Sequence, residues 1–193
     1  MDAFLLSFGV IMLAELGDKS QLMALAFASR YRAWTVLVAV SIATLIVHAG
    51  SVLIGSTLAV ALPRAPIQAV AGLSFLGFAW WTMRGDALGA AERERASRDG
   101  RGDRWALVTI GVAFFLAELG DKTMLATISL ATTEAAIPTW LGSTAGMVAA
   151  DAAAIALGAV MGARLPERAI RVFASAAFVV FGAILIAQAL GIL

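Results

Sequence analysis

Apolar residues in this chain come in long runs rather than in alternation. Six such runs can be read: Ala3–Ala28, Trp34–Leu62, Pro66–Met83, Trp105–Leu130, Ile137–Ala163 and Ala169–Ile192. Each approaches or exceeds the roughly 20 apolar residues that a helix needs to cross a bilayer. The arginines lie in or next to the connections between runs, and one connection is much longer than the rest. Residues 84–104 carry Arg84, Arg93, Arg95, Arg98, Arg101 and Arg104 with Asp and Glu between them. That stretch has no apolar face to bury and reads as a solvated linker. The pattern predicts an all-α membrane protein of six transmembrane helices. Residues 1–83 form a first three-helix repeat, 84–104 the linker, and 105–193 a second repeat. Gly50, Gly55, Gly72, Gly77, Gly142, Gly146, Gly158 and Gly162 lie within the runs, where small residues let helices approach closely in lipid.

The two halves align at an offset of 103 residues. Leu13–Lys19 and Leu116–Lys122 are the same heptapeptide, Leu-Ala-Glu-Leu-Gly-Asp-Lys, followed by Ser20 and Thr123. Gly55 matches Gly158, and Leu62-Pro63 matches Leu165-Pro166. Three spans per half is an odd number, so the second half enters the membrane from the opposite side. That is an inverted-topology repeat, a common build for secondary transporters. The connections after spans one, three and five hold Arg30 and Arg32, the six linker arginines, then Arg164, Arg168 and Arg171, whereas the other side holds Arg64 alone. Positive charge marks the first set as cytoplasmic. Both termini then face outward, and Trp34 and Trp105 fall at the interface.

Composition supports the class. The chain is 61% hydrophobic and 14% charged, with mean hydropathy +0.91, against about 25% charged residues in soluble domains. The absence of cysteine excludes disulfides, thiolate metal sites and cysteine nucleophiles. Ala26-Phe27-Ala28 resembles a signal-peptidase site, but Glu15, Asp18 and Lys19 would interrupt the apolar core of such a signal. The first run is therefore expected to be retained.

Against this background the heptapeptide is an energetic anomaly. It places four carboxylates and two ammonium groups inside apolar runs, where each charge costs about 2.5–3.5 kcal/mol or more. On a continuous helix Glu15, Asp18 and Lys19 share one face, as do Glu118, Asp121 and Lys122. If the two faces meet, four carboxylates converge near the midplane. Gly17 and Gly120 either let the helices cross closely or let a helix open so that its carbonyls become ligands. Carboxylate and carbonyl oxygens suit hard divalent cations, Mg²⁺, Ca²⁺ or Mn²⁺. The formal charge of four acids and two lysines is cancelled by one divalent ion. Carboxylates in low dielectric also hold protons, so metal and protons compete for the same oxygens, the minimum needed for metal/proton exchange. The alternative is a pair of buried intrahelical salt bridges, Glu15–Lys19 and Glu118–Lys122, which leaves unexplained why each motif carries two acids per base.

At the same offset His48 matches Asp151. The two are candidates for a proton relay or an extra ligand, with a helix–helix hydrogen bond as the plainer role for the histidine. An imidazole ligand favours Mn²⁺ over Ca²⁺ or Mg²⁺. Ser20, Gln21, Ser41, Thr123 and Thr144 are candidates to line the path, and Met23 and Met124 are expected to pack. Other chemistries fit poorly. An intramembrane aspartyl protease of Gly-x-Gly-Asp type needs glycine where Glu15 and Glu118 stand. Gly142-Ser143 is not a serine-nucleophile element, and no phosphate loop or haem-type histidine pair occurs. The chain is expected to be a transporter, not an enzyme.

Glu-x-Gly-Asp-Lys-(Ser/Thr), twice within six spans and separated by a charged loop, resembles the MneA-type manganese exporter family, relatives of the human Golgi transmembrane protein 165 and the yeast Gdt cation/proton antiporters. The resemblance covers essentially the whole chain. It implies a LysE-superfamily-like fold in the bacterial plasma (inner) membrane, and export of Mn²⁺, or Ca²⁺ in some members, in exchange for protons. It also implies that Glu15, Gly17, Asp18, Lys19 and Ser20, with Glu118, Gly120, Asp121, Lys122 and Thr123, form the transport site, with Glu15, Asp18, Glu118 and Asp121 as metal ligands. No permanently bound cofactor is expected. The partners are the divalent ion, protons and the lipid bilayer, with no nucleic acid; a homo-oligomer is compatible with this build. Two rivals remain: an exporter of another cationic solute such as a basic amino acid, and a non-transporting membrane scaffold.

Overall fold

Glycine and aspartate in the heptapeptide do more than line a helix face. In the computed structural model, which describes residues 2–28, 30–84, 102–161 and 167–192, each copy of Glu-Leu-Gly-Asp-Lys ends one helix and begins another. The elements are α1 (Asp2–Glu15), α2 (Lys19–Ala28), α3 (Ala33–Ala61), α4 (Arg64–Arg84), α5 (Gly102–Glu118), α6 (Lys122–Thr133), α7 (Ala136–Met161) and α8 (Glu167–Ala189). Among the described residues there are helices and no strand. Of the predicted linker 84–104, Arg84 ends α4 and Gly102 begins α5; residues 85–101 lie outside the described residues, as does the predicted turn at Leu165-Pro166.

The continuous first and fourth spans expected from the apolar pattern are therefore corrected to broken ones. Gly17 and Gly120 take φ of +76° and +78°, left-handed values that cost a residue with a Cβ about 1–2 kcal/mol. The Asp18 amide turns back to the Glu15 carbonyl at 3.0 Å, and the Asp121 amide to the Glu118 carbonyl at 3.2 Å. A positive-φ glycine just past a helix end is a helix stop, and Asp121 is the N-cap of α6, as suits an acid at a helix start. Because α1, α2 and α6 have 14, 10 and 12 residues, none crosses a bilayer alone. Among the described residues, two helical stretches are long and apolar enough to do so singly, Ala33–Ala61 and Val172–Ala189, with mean hydropathy 2.3 and 2.2.

Each element of the first half has its counterpart 103 residues on, and two equivalent pairs, α3 with α7 and α4 with α8, run antiparallel in contact. In the α3–α7 pair Thr44 Oγ1 lies 3.5 Å from Met147 Sδ and Thr144 Oγ1 lies 3.5 Å from His48 Nδ1. Thr44 and Met147 are themselves equivalent positions. In the α4–α8 pair Gln68 meets Gln188 at 3.3 Å and the Ser175 hydroxyl donates to the Ala79 carbonyl at 2.7 Å. Phe75 and Phe178, also equivalent, stand 5.8 Å apart between ring centroids. Phe181 and Phe78 complete that buried aromatic cluster.

The helices pack through small residues. A Cβ on Gly142 would strike the Phe4 carbonyl, and one on Gly146 the Phe8 carbonyl and, at 3.1 Å, the Met12 amide. This places α1 flush against α7. The core runs from Ile11, Met23 and Phe27 through Val36 and Val40 to Ile110, Phe114, Leu130 and Met147. The outward surface is apolar, with Leu53, Val60, Ile137 and Phe173 exposed. Trp34 and Trp105 are also exposed, near the N-terminal ends of α3 and α5.

Candidate cation site

The two breaks face each other across the molecule, with α1 against α6 and α2 against α5. Glu15, Asp18, Glu118 and Asp121 are buried, together with Lys122, Ser20 and Thr123. The lysines reach across the halves. Lys122 Nζ lies 3.2 Å from Asp18 Oδ1, and Lys19 Nζ lies 3.2 Å from Asp121 Oδ1. The second is a charge contact without hydrogen-bond alignment at the oxygen. Each lysine is thus paired with the aspartate of the other half, a pairing that the expected alternative of ion pairs within one helix does not include. The break is the physical reason, because it takes Asp18 and Asp121 out of helical register with the glutamates.

The glutamates are held by the hydroxyl that follows each motif. Ser20 Oγ donates to Glu15 Oε1, and Thr123 Oγ1 donates to Glu118 Oε2 at 2.8 Å. One oxygen of each glutamate is thereby fixed. The other, Glu15 Oε2 and Glu118 Oε1, is buried and accepts no hydrogen bond from the described residues. Asp121 Oδ2 and both oxygens of Asp151 are in the same condition. A buried acceptor without a donor costs about 1–3 kcal/mol, more when charged, so these oxygens suit a cation or a proton. In the arrangement seen here, no group of three or more acidic or histidine side chains among the described residues is close enough to hold a metal ion. The ammonium groups stand among the aspartates instead. The structure brings the two motifs together, and among the described residues no three of their acids stand closely enough to hold a metal in this arrangement.

His48 and Asp151 are fully buried on the facing helices α3 and α7. His48 meets Thr144, and its Nε2 has no partner among the described residues. Asp151 lies within Coulombic reach of Glu15 and Asp18, which joins it to the first motif. Ser41 donates to the Leu37 carbonyl on its own helix. Met23 is core, as expected. Met124 is not merely packing: its sulfur accepts the Gly120 amide at 3.2 Å. Gln21 takes the matching position at Gly17, a role that the shared offset of 103 could have flagged.

At the far end of α6 lies a polar pocket of about 290 Å³ lined by Arg64, Gln68, Thr132, Thr133 and Glu134 among others. Burial, and then the nearby Asp2 carboxylate, push Glu134 above the usual glutamate range. Sequence reasoning passed over this pocket, because its residues belong to two connections that look unremarkable singly.

The chain matches the family described as divalent cation/proton antiporter GDT1 over residues 3–90 and 106–192. It belongs to that family. Each matched stretch contains one copy of the heptapeptide. The GDT1 family transports cations and is not a family of enzymes. Among its relatives, a Vibrio cholerae protein named "Putative manganese exporter" is 34% identical over 174 residues, covering 89% of this chain and 84% of the relative. Protein PAM71, chloroplastic, from Arabidopsis thaliana is 31% identical over 209 residues, covering 96% of this chain and 56% of the plant protein. GDT1-like protein 2, chloroplastic, from Oryza sativa is 27% identical over 204 residues, covering 92% and 59%. No solved structure matches the chain.

Proposed function

We propose that this GDT1-family antiporter exports Mn²⁺, and Ca²⁺ as a second substrate, in exchange for protons entering the cell. Its site is the pair of facing Glu-Leu-Gly-Asp-Lys breaks. The observation that carries this reading is the reciprocal pairing of Lys19 with Asp121 and of Lys122 with Asp18. Each ammonium supplies the aspartate of the other half with the positive charge that an arriving cation would bring. A divalent ion entering from the cytoplasm displaces the ammonium groups and draws Glu15, Asp18, Glu118 and Asp121 together. All four ligands are hard oxygens. The buried glutamate oxygens that accept no hydrogen bond are the natural first contacts. Protons arriving from outside compete for those oxygens and release the metal, and the lysines return to the aspartates. Ser20 and Thr123 hold the glutamates in place through both limbs. His48 and Asp151 serve as proton relay or additional ligand.

In this reading the six spans form two inverted three-helix repeats of LysE-superfamily type, with α1–α2 and α5–α6 as discontinuous spans. Broken helices whose ends meet near the midplane, related by a pseudo-two-fold axis, recur in secondary transporters. The antiparallel run of α3 against α7 and of α4 against α8 supports it. The protein sits in the bacterial plasma membrane with both termini outside and residues 84–104 in the cytoplasm.

Thermal unfolding of the purified protein distinguishes this reading from its rivals. Mn²⁺ and Ca²⁺ at 100 times their dissociation constants stabilise by about 2.7 kcal/mol if they bind the folded state alone, and lysine or arginine leave the midpoint unchanged. Stabilisation by the amino acids and not by the metals identifies an exporter of cationic amino acids; stabilisation by neither identifies a scaffold.

A further inference from the structure

The two breaks are alike in backbone but not in how they are tied down. At the first, the Gly17 amide donates to Gln21 Oε1 at 2.8 Å, and Gln21 Nε2 donates to the Ala150 carbonyl of α7 at 3.1 Å. Gln21 is 4% exposed, and its bond to α7 is buried. At the second break the equivalent residue is Met124, whose sulfur accepts the Gly120 amide. A thioether is a weak acceptor and has no proton to donate. It cannot reproduce the second bond, the one that reaches a neighbouring helix. The carbonyl equivalent to that of Ala150 belongs to Val47, and it accepts the hydroxyl of Ser51 from its own helix at 2.8 Å.

The tie ends one residue before Asp151, on the same turn of α7. Asp151 is fully buried, both its oxygens accept no hydrogen bond from the described residues, and Glu15 and Asp18 lie within its Coulombic reach. The equivalent position in the other half is His48. The first break is therefore bolted to α7 beside a buried acid, Asp151, and the residue at the equivalent position in the other half is a histidine.

We propose that Gln21 is a positioning residue for the cation site: its amide bridges the Gly17 turn and the Ala150 carbonyl, fixing the first break beside Asp151 so that this side of the site is the rigid one. This rests on the reading of the two motifs as a cation site. Gln21 touches neither cation nor proton; it acts through the turn and through Asp151. The break at Gly120, held by a thioether, is the half that adjusts around the ion.

The test is metal flux in proteoliposomes, with half-saturating Mn²⁺ and maximal rate measured separately per folded protein. Gln21→Met copies the second half into the first. It is expected to raise half-saturating Mn²⁺ about tenfold, worth about 1.4 kcal/mol, with the maximal rate within about twofold. Gln21→Glu keeps an acceptor for the Gly17 amide but loses the donor to Ala150, and it is expected to reproduce the rise; it also serves if the methionine variant folds poorly. Asp151→Asn removes the group through which Gln21 acts, so Gln21→Met adds little on top of it. Unchanged half-saturation in both Gln21 variants, with lowered thermal stability alone, overturns the proposal, as does a full multiplication of the Gln21→Met and Asp151→Asn effects. Wild-type protein that carries no metal defeats the underlying reading and this inference with it. Wild-type flux that both Gln21 variants retain at unchanged half-saturation defeats the inference only.

Discussion

Removing Lys122 should be the most damaging single change to the metal-free protein, and part of the damage should be offset by a second change in the other half. Lys122 Nζ stands 3.2 Å from Asp18 Oδ1, with the lysine side chain 3% exposed and the aspartate 0%. At an effective dielectric of about 20, that separation corresponds to about 5 kcal/mol of gross attraction, most of it offset by desolvation. Asp18 Oδ1 also accepts the Lys19 amide at 2.7 Å, so Lys122→Met is expected to cost about 3 kcal/mol, the low end for a broken buried pair. Asp18→Asn removes the counter-charge of the ammonium and costs a similar amount. The double variant buries neither charge and should cost less than the sum of the singles by a coupling energy of about 1–3 kcal/mol. The equivalent pair, Lys19 with Asp121, has its lysine 20% exposed; its single variants should cost less, because water screens and solvates the ammonium. The assay is denaturant or thermal unfolding of metal-free protein for the two singles and the double. Coupling of Lys122 to Glu118 rather than to Asp18, or coupling below about 0.5 kcal/mol, refutes the cross-half pairing.

Three further outcomes follow from the same geometry. Gly120→Ala meets no neighbour within 4 Å, so its cost is the left-handed backbone alone, about 1–2 kcal/mol in unfolding free energy; no loss means that the break at Gly120 is not required. Gly146→Ala drives a Cβ into the Phe8 carbonyl and should cost about 1–3 kcal/mol, whereas Gly50→Ala, with open space around it, should leave stability unchanged or raised by up to about 1 kcal/mol. Glu134 is held above the ordinary glutamate value of 4.5 by burial and by Asp2. The folded state thus binds its proton more tightly than the unfolded chain does, and stability falls as pH rises from about 4.5 through the raised value. Glu134→Gln should flatten that part of the melting-temperature profile, and an unchanged profile contradicts the assignment.

Much of this architecture was legible in the residues. The apolar runs located the helices, and the offset of 103 paired Glu15 with Glu118, Asp18 with Asp121 and His48 with Asp151. The breaks were harder to see, because the hydrophobic run continues unchanged on both sides of Gly17 and Gly120. Periodicity reports what faces lipid or core, not whether the backbone between is helical. The signal was local: glycine as a helix stop followed by aspartate as a helix start. The cross-half ion pairs were out of reach for a different reason. Lys19 is as near in sequence to Glu15 as a helix allows, and only the break brings it to Asp121. Gln21 and Met124 were hidden because they differ, and repeats are found by what they share.

Exchange itself is the most direct test. Purified protein in liposomes, loaded with Mn²⁺ inside and placed in a more acidic medium, should release Mn²⁺ as protons enter, with the flux collapsing when the pH gradient is dissipated and lost in the Glu15→Gln plus Glu118→Gln variant. Mn²⁺ release that is indifferent to the pH gradient, or that survives in the double variant, contradicts the account.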